Sequence, residues 1–160
     1  AALSALRFRV TGWARTERAL AGVRCLAGPS GLGQALDGAE IVVSLLPDTP
    51  ETENVLDAAA LARLAPGAVV INPGRGTLID EAALLAALDV GRLGHATLDV
   101  FREEPLPPDH PFWAHPRVTV TPHVAAETRA ETAARVIAEN VARGEAGEPF
   151  LHLVDRSRGY

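Results

Sequence analysis

Apolar positions along the chain recur with two spacings, one suited to strands and one to helices. Short apolar or alternating runs predict strands over Arg7 to Trp13, Ile41 to Leu46, Val69 to Ile71, His95 to Val100 and Val118 to Thr121. Helical spacing predicts helices over Leu32 to Leu36, Ala58 to Leu64, Asp80 to Leu88 and about Ala125 to Arg143. The last of these places Val136, Ile137 and Val141 on one face. Ala1 to Leu6 reads as the end of a further helix, since no capping residue precedes it. Asp57 stands where an N-cap for the Ala58 helix belongs. Strands alternate with helices, so the expected fold is α/β, a mostly parallel sheet with helices on both faces. Gly144 to Tyr160 carries no regular pattern.

Composition narrows the function classes. A chain of 160 residues is long enough for one domain with a sizeable core. All 15 basic residues are arginine, they are scattered, and the net charge is −5, which argues against a nucleic-acid surface. No apolar run approaches the roughly 20 residues of a membrane helix. Cys25 is the single cysteine and has no partner for an internal disulfide, so a cytoplasmic location is expected. No metal site is assigned.

Chemistry is expected where strands end. Val69 to Asp80 reads VVINPGRGTLID: a buried strand, a turn at Asn72-Pro73-Gly74, then Arg75 and Gly76. The carboxyl ends of parallel strands are where open α/β sheets bind ligands. There the planar fork of Arg75 would grip a carboxylate or phosphate; otherwise it is a surface arginine beside a helix. Glu104, beyond the strand ending near Asp99, and His123, after Thr121-Pro122, occupy comparable positions. Seen singly, Glu104 also reads as a solvated loop residue, His123 as a residue preceding a helix, and Asp99 as a ligand contact or a turn cap. Together a cation, an acid and an orienting carboxylate suit reduction of a keto group next to a carboxylate. Trp113 in the proline-rich loop is expected to anchor that loop by packing. Gly31 and Gly33 read as turn residues, because Gly31-Leu32-Gly33 follows no strand and lacks the third glycine of a dinucleotide fingerprint.

Three segments taken together resemble the D-2-hydroxyacid dehydrogenase family: Asn72-Pro73-Gly74-Arg75-Gly76, Leu98-Asp99-Val100-Phe101 with Glu104-Pro105-Leu106-Pro107, and Thr121-Pro122-His123. Trp13-Ala14-Arg15 and Val154-Asp155-Arg156-Ser157-Arg158-Gly159-Tyr160 resemble, within it, the A-type glyoxylate/hydroxypyruvate reductases. The resemblance implies a Rossmann-like fold and reduction of a small 2-keto acid. It implies that Arg75 holds the substrate carboxylate, His123 donates the proton, and Glu104 hydrogen-bonds the histidine and keeps it protonated. Asp99 would lie near the nicotinamide carboxamide, Leu46-Pro47 beside the adenosine, and Asn72-Pro73-Gly74 beside the nicotinamide ribose. A homodimer is implied for the full-length enzyme.

Cofactor choice has a physical basis. An acid at the end of the second strand receives the ribose 2′-hydroxyl of NAD, and an arginine there accommodates a 2′-phosphate. Here Ala14 is followed by Arg15 and Thr16, so NADPH is expected, with NADH second. The resemblance also implies a substrate domain, a first strand and a glycine-rich turn ahead of Ala1. The chain is thus expected to be a C-terminal fragment whose sheet lacks its first strand. Residues 1–122 would be a partial dinucleotide-binding domain, and 123–160 a helix and tail packing back on the substrate domain. Two readings follow. One is the reductase, with the 160-residue chain inactive alone; the other is a catalytically silent cofactor-binding or oligomerising fragment.

Overall fold

A computed structural model describes residues 2–156. In chain order these form α1 (Ala2–Ala5), β1 (Thr11–Ala14), β2 (Arg24–Ala27), α2 (Gly28–Leu36), β3 (Ile41–Val43) and α3 (Ala58–Ala62). Then come β4 (Ala68–Asn72), α4 (Glu81–Asp89), β5 (Leu93–Leu98), β6 (Val118–Val120) and α5 (Ala130–Glu145). Single 3-10 turns lie at Gly76–Leu78 and Pro111–Trp113. Strand pairs are parallel and fall into two sheets, β1-β2 and β3-β4-β5-β6. Helix α2 joins them, packing on β1 and β2 and also touching α3. A parallel arrangement puts the carboxyl ends of the strands in each sheet on one side, where the candidate residues sit.

Alternate positions of the larger sheet make the core. Val70, Ala96 and Leu98 are buried with Leu36 of α2, Ala60 and Leu61 of α3, and Leu84 and Leu88 of α4. On β3, Ile41 and Val43 remain about half exposed, so helical cover is unequal on the two faces. Two helices start where a carboxylate can cap them. Asp57 accepts from the Ala60 N–H at 2.8 Å, and Asp80 from the Ala83 N–H at 3.0 Å.

Several boundaries differ from expectation for identifiable reasons. The first strand is Thr11–Ala14; the alternation over Arg7 to Val10 lies outside it, and Arg7 has φ 65°. Strand β2 was not expected, because four residues with one exposed arginine carry almost no periodic signal. Gly31 and Gly33 are not turn residues but lie inside α2, with Pro29 in its first turn, and contrary to expectation this glycine-bearing segment does follow a strand, β2. A Cβ at Gly31 would stand 3.3 Å from Leu26 Cβ, so this glycine lets the helix approach β2 closely. In the proline-rich loop the packed anchor is Phe112, 1% exposed, whereas Trp113 is 54% exposed and is tied through Nε1–H to the Pro107 carbonyl at 2.8 Å. Helix α5 begins at Ala130 rather than near Ala125, and the Val124 and Ala125 N–H groups ahead of it bond to the Asp99 carboxylate.

Candidate active site

The strand β4 ends at Asn72, which is 1% exposed and shapes the turn after it. Its Oδ1 accepts from the Gly74 N–H at 3.1 Å, and its Nδ2 donates to the Arg75 carbonyl at 2.8 Å. This local closure holds the backbone in a form neither strand nor helix would provide. Two glycines make close approach possible. A Cβ at Gly74 would lie 2.8 Å from the Ser44 carbonyl oxygen, and one at Gly76 only 1.9 Å from the Phe101 carbonyl carbon. The turn that carries Arg75 is thereby pressed against the ends of β3 and β5. The Arg75 side chain is exposed and gives one Nη1–H to the Gly74 carbonyl at 2.7 Å. Its guanidinium retains further donors for a ligand.

Beyond β5 the chain turns so that Glu104 faces two donors. Its Oε1 accepts from the Phe101 N–H at 2.9 Å, and its Oε2 lies 2.8 Å from His123 Nδ1. A carboxylate can only accept, so Nδ1 carries the hydrogen and Nε2 is the ring nitrogen that Glu104 does not engage. Burial raises the Glu104 pKa, but the hydrogen bonds from His123 and Phe101 and the charges of His123 and Arg75 outweigh it. The carboxyl is held below its usual range. Glu104 and His123, from two separate segments, are thus paired directly, and the Arg75 charge adds to the lowering of the Glu104 carboxyl.

Asp99, 4% exposed, sits directly behind this group. Its carboxylate accepts from the Thr121 hydroxyl and from the Val124 and Ala125 N–H groups, the last two at 3.0 and 2.8 Å. Burial opposes the charge, yet these bonds and the His123 charge prevail and keep the carboxyl below its usual range.

Leu46, Pro47, Pro73 and Gly74 line an open groove with Leu45, Asp48 and Arg75. The loop bearing Pro47 is fastened by buried Thr52, whose hydroxyl donates to the Pro47 carbonyl at 2.7 Å. Thr77 adds a hydroxyl bond to Asp48 at 2.8 Å. Arg15 and Thr16 follow β1 on the smaller sheet, exposed. Glu51, beyond β3, has its pKa lowered by its own backbone, by Thr49 and, least, by the Arg15 charge. Sequence reasoning missed Thr52 and Thr121. A Thr-x-x-Thr spacing after Pro47 and a threonine directly before Pro122 were the available signals.

The family model for the D-isomer specific 2-hydroxyacid dehydrogenase NAD-binding domain matches residues 1–125. Glyoxylate/hydroxypyruvate reductase A of Serratia proteamaculans is 47% identical over 158 residues, covering 99% of this chain and 50% of that protein. A D-isomer specific 2-hydroxyacid dehydrogenase from Xanthobacter autotrophicus, solved with NADPH and MES, is 53% identical with a TM-score of 0.92, over 96% of this chain and 63% of that one. The NADPH-dependent glyoxylate/hydroxypyruvate reductase of Sinorhizobium meliloti, solved with NADP and sulfate, is 41% identical with a TM-score of 0.93, over 99% and 52%. The chain thus spans about half the length of the curated relative it matches. It belongs to the D-isomer specific 2-hydroxyacid dehydrogenase family, through its NAD-binding domain.

Proposed function

We propose that this chain carries the substrate-gripping and proton-donating part of an NADPH-dependent reductase that turns a small 2-keto acid of the glyoxylate/hydroxypyruvate class into its 2-hydroxy acid. The observation that carries the reading is the Glu104–His123 pair at 2.8 Å, with Arg75 close enough to lower the Glu104 pKa. The names of the relatives from Serratia and Sinorhizobium support the substrate class, and the NADPH and NADP in two solved relatives support the cofactor.

The groove fits a dinucleotide on its own terms. Leu45, Leu46, Pro47 and Pro73 offer apolar walls, and Gly74 leaves the backbone bare where a side chain would meet Ser44. Leu46 and Pro47 would flank the adenosine, Asn72 to Gly74 the nicotinamide ribose, and Arg15 with Thr16 the 2′-phosphate. NADPH, when bound, supplies the hydride. Arg75 holds the substrate carboxylate with two parallel N–H bonds and polarises the keto oxygen. His123 gives the proton on Nε2 to that oxygen as the carbonyl carbon is reduced, and the ring is left neutral. Glu104 keeps Nδ1 protonated and the ring aimed.

The test is NADPH oxidation with glyoxylate or hydroxypyruvate by the complete reading frame that encodes this chain. His123→Asn is expected to lower kcat by about 10²–10⁴-fold while NADPH still binds. Full activity in that variant would overturn the assignment. The 160-residue chain alone is expected to be inactive. Among the described residues one strand, β2, runs directly into a glycine-bearing helix start, Gly28-Pro29-Ser30-Gly31-Leu32-Gly33 of α2, and Leu36 stands where the third glycine of a pyrophosphate-cradling G-x-G-x-x-G turn would be.

A further inference from the structure

His123 is held in a conformation that few residues with a side chain adopt. Its φ is +56°, in the left-handed region where a side chain crowds the backbone. Such a residue stays there when its surroundings over-determine it. The surroundings here are unusual. Val124 and Ala125 are exposed residues that lie five or more positions before α5 begins at Ala130 and belong to no helix or sheet. Both are nevertheless bonded, and to one buried side chain from the end of a different strand: Val124 to Asp99 Oδ1 at 3.0 Å and Ala125 to Asp99 Oδ2 at 2.8 Å. The Thr121 hydroxyl closes the other side of the segment onto Asp99 Oδ1. The His123 N–H itself turns back to the Thr121 carbonyl at 3.1 Å.

We propose that Asp99 is a positioning residue: its two carboxylate oxygens hold the backbone on both sides of His123, and this hold aims the ring so that Nδ1 meets Glu104. Its meaning for catalysis rests on His123 being the proton donor. The holding itself does not, and the experiment below reads ring geometry rather than turnover. The chemistry of the anchor is specific. Both oxygens must accept at once, and an asparagine offers one acceptor and one donor, so its amide N–H would confront a backbone N–H. Burial discourages a charge on Asp99, yet its donors keep the carboxyl ionised, the form the anchor needs.

The test uses ¹⁵N-labelled protein from the complete reading frame that encodes this chain. In the wild type, Val124 and Ala125 amides are expected to exchange with solvent at least about tenfold more slowly than the Ala126 amide, as charge-assisted bonds require. A hydrogen-bonded His123 Nδ1–H resonance is expected, and Glu104→Gln should remove or shift it while Val124 and Ala125 stay slow. Asp99→Asn should abolish both the slow exchange and the ring resonance, with the β4 and β5 amide pattern unchanged. Thr121→Val keeps the carboxylate and both backbone bonds, so it should retain the ring resonance. The proposal is overturned by fast Val124 and Ala125 exchange in the wild type, by a missing wild-type ring resonance, or by its survival in Asp99→Asn. Loss in Thr121→Val equal to that in Asp99→Asn overturns it too. If Asp99→Asn fails to fold, wild-type exchange and Thr121→Val decide alone. Failure of the reductase reading would show instead as unchanged turnover in His123→Asn, a separate result.

Discussion

Glu104 Oε2 and His123 Nδ1 meet at 2.8 Å although 19 positions separate the two residues, and Oε1 of the same carboxylate is fixed by the Phe101 N–H. With both oxygens committed, the carboxylate cannot rotate without breaking a bond. Glu104→Gln would set an amide donor against one of two existing donors. The expected outcome is a loss in kcat of about 10²-fold or more with little change in KM for the keto acid. Steady-state kinetics on the complete reading frame check it. Equal loss in kcat and rise in KM would mean the residue supports substrate binding instead.

Arg15 is expected to distinguish the two nicotinamide cofactors. A charge-assisted contact with a 2′-phosphate is worth about 1.5–3 kcal/mol, or roughly ten- to hundredfold in affinity. Arg15→Ala should therefore weaken NADPH by that factor and NADH hardly at all, as read by titration of each cofactor. Equal weakening would remove Arg15 from the 2′-phosphate site.

Gly76 leaves no room for any side chain. A Cβ there would lie 1.9 Å from the Phe101 carbonyl carbon and 2.1 Å from its oxygen, both backbone atoms that cannot move alone. Gly76→Ala is expected to cost about 3 kcal/mol or more, at the upper end of overpacking. Gly12→Ala, whose new Cβ would stand 3.4 Å from Val23 Cγ1, serves as the mild control. Urea unfolding followed by circular dichroism measures both.

The packed anchor of the proline-rich loop gives a second stability contrast. Phe112 is buried to 1% exposure against Phe101, with ring centroids 6.3 Å apart. Phe112→Ala is expected to cost about 3–5 kcal/mol. Trp113→Ala, at a half-exposed position with one hydrogen bond, should cost about 1 kcal/mol. The opposite order in urea midpoints would return the anchor to the tryptophan.

Acid should selectively weaken what Asp99 contributes. Its folded pKa is depressed, so the stabilisation is full above the unfolded value of about 3.9 and is lost as pH falls through the lower folded value. Asp99→Ala is expected to be less stable than wild type by about 3 kcal/mol at pH 7. That gap should close as pH drops below about 4. A gap unchanged between pH 7 and pH 3 would show that the ionised carboxylate is not what holds the segment.

The sequence was most readable where one physical signal acted alone. The apolar run Ala68 to Ile71, the capping carboxylate Asp57, and the placing of Arg75, Glu104 and His123 after strand ends all correspond to geometry that is present. Reading failed where a tertiary contact overrode a local pattern. The helix-like stretch from Ala125 becomes helical only at Ala130, and the amides ahead of it are held by Asp99 from the end of another strand. Gly31 and Gly33 look like turn residues locally, but close packing against Leu26 and Arg63 explains them inside α2. Strand β2 exists through its pairing with β1, a long-range fact that four residues cannot announce.

Every residue of the described chain before Gly31 keeps measurable exposure, so the β1-β2 ribbon has no fully buried side chain of its own. It is fastened through α2, by Trp13 Nε1–H to the Gly28 carbonyl at 2.7 Å on one side. On the other, Arg63 donates to the Gly33 carbonyl at 3.1 Å and pairs with Asp37 at 2.9 Å. A segment so attached opens at lower free energy than the β4-β5 core. Order in the ribbon and occupancy of the groove are then two ends of one linked equilibrium. On the proposed function, in which the cofactor reaches from Pro47 to Arg15, its binding would tighten the ribbon, and a substitution that frees the ribbon, such as Arg63→Ala, would weaken the cofactor by the same coupling factor.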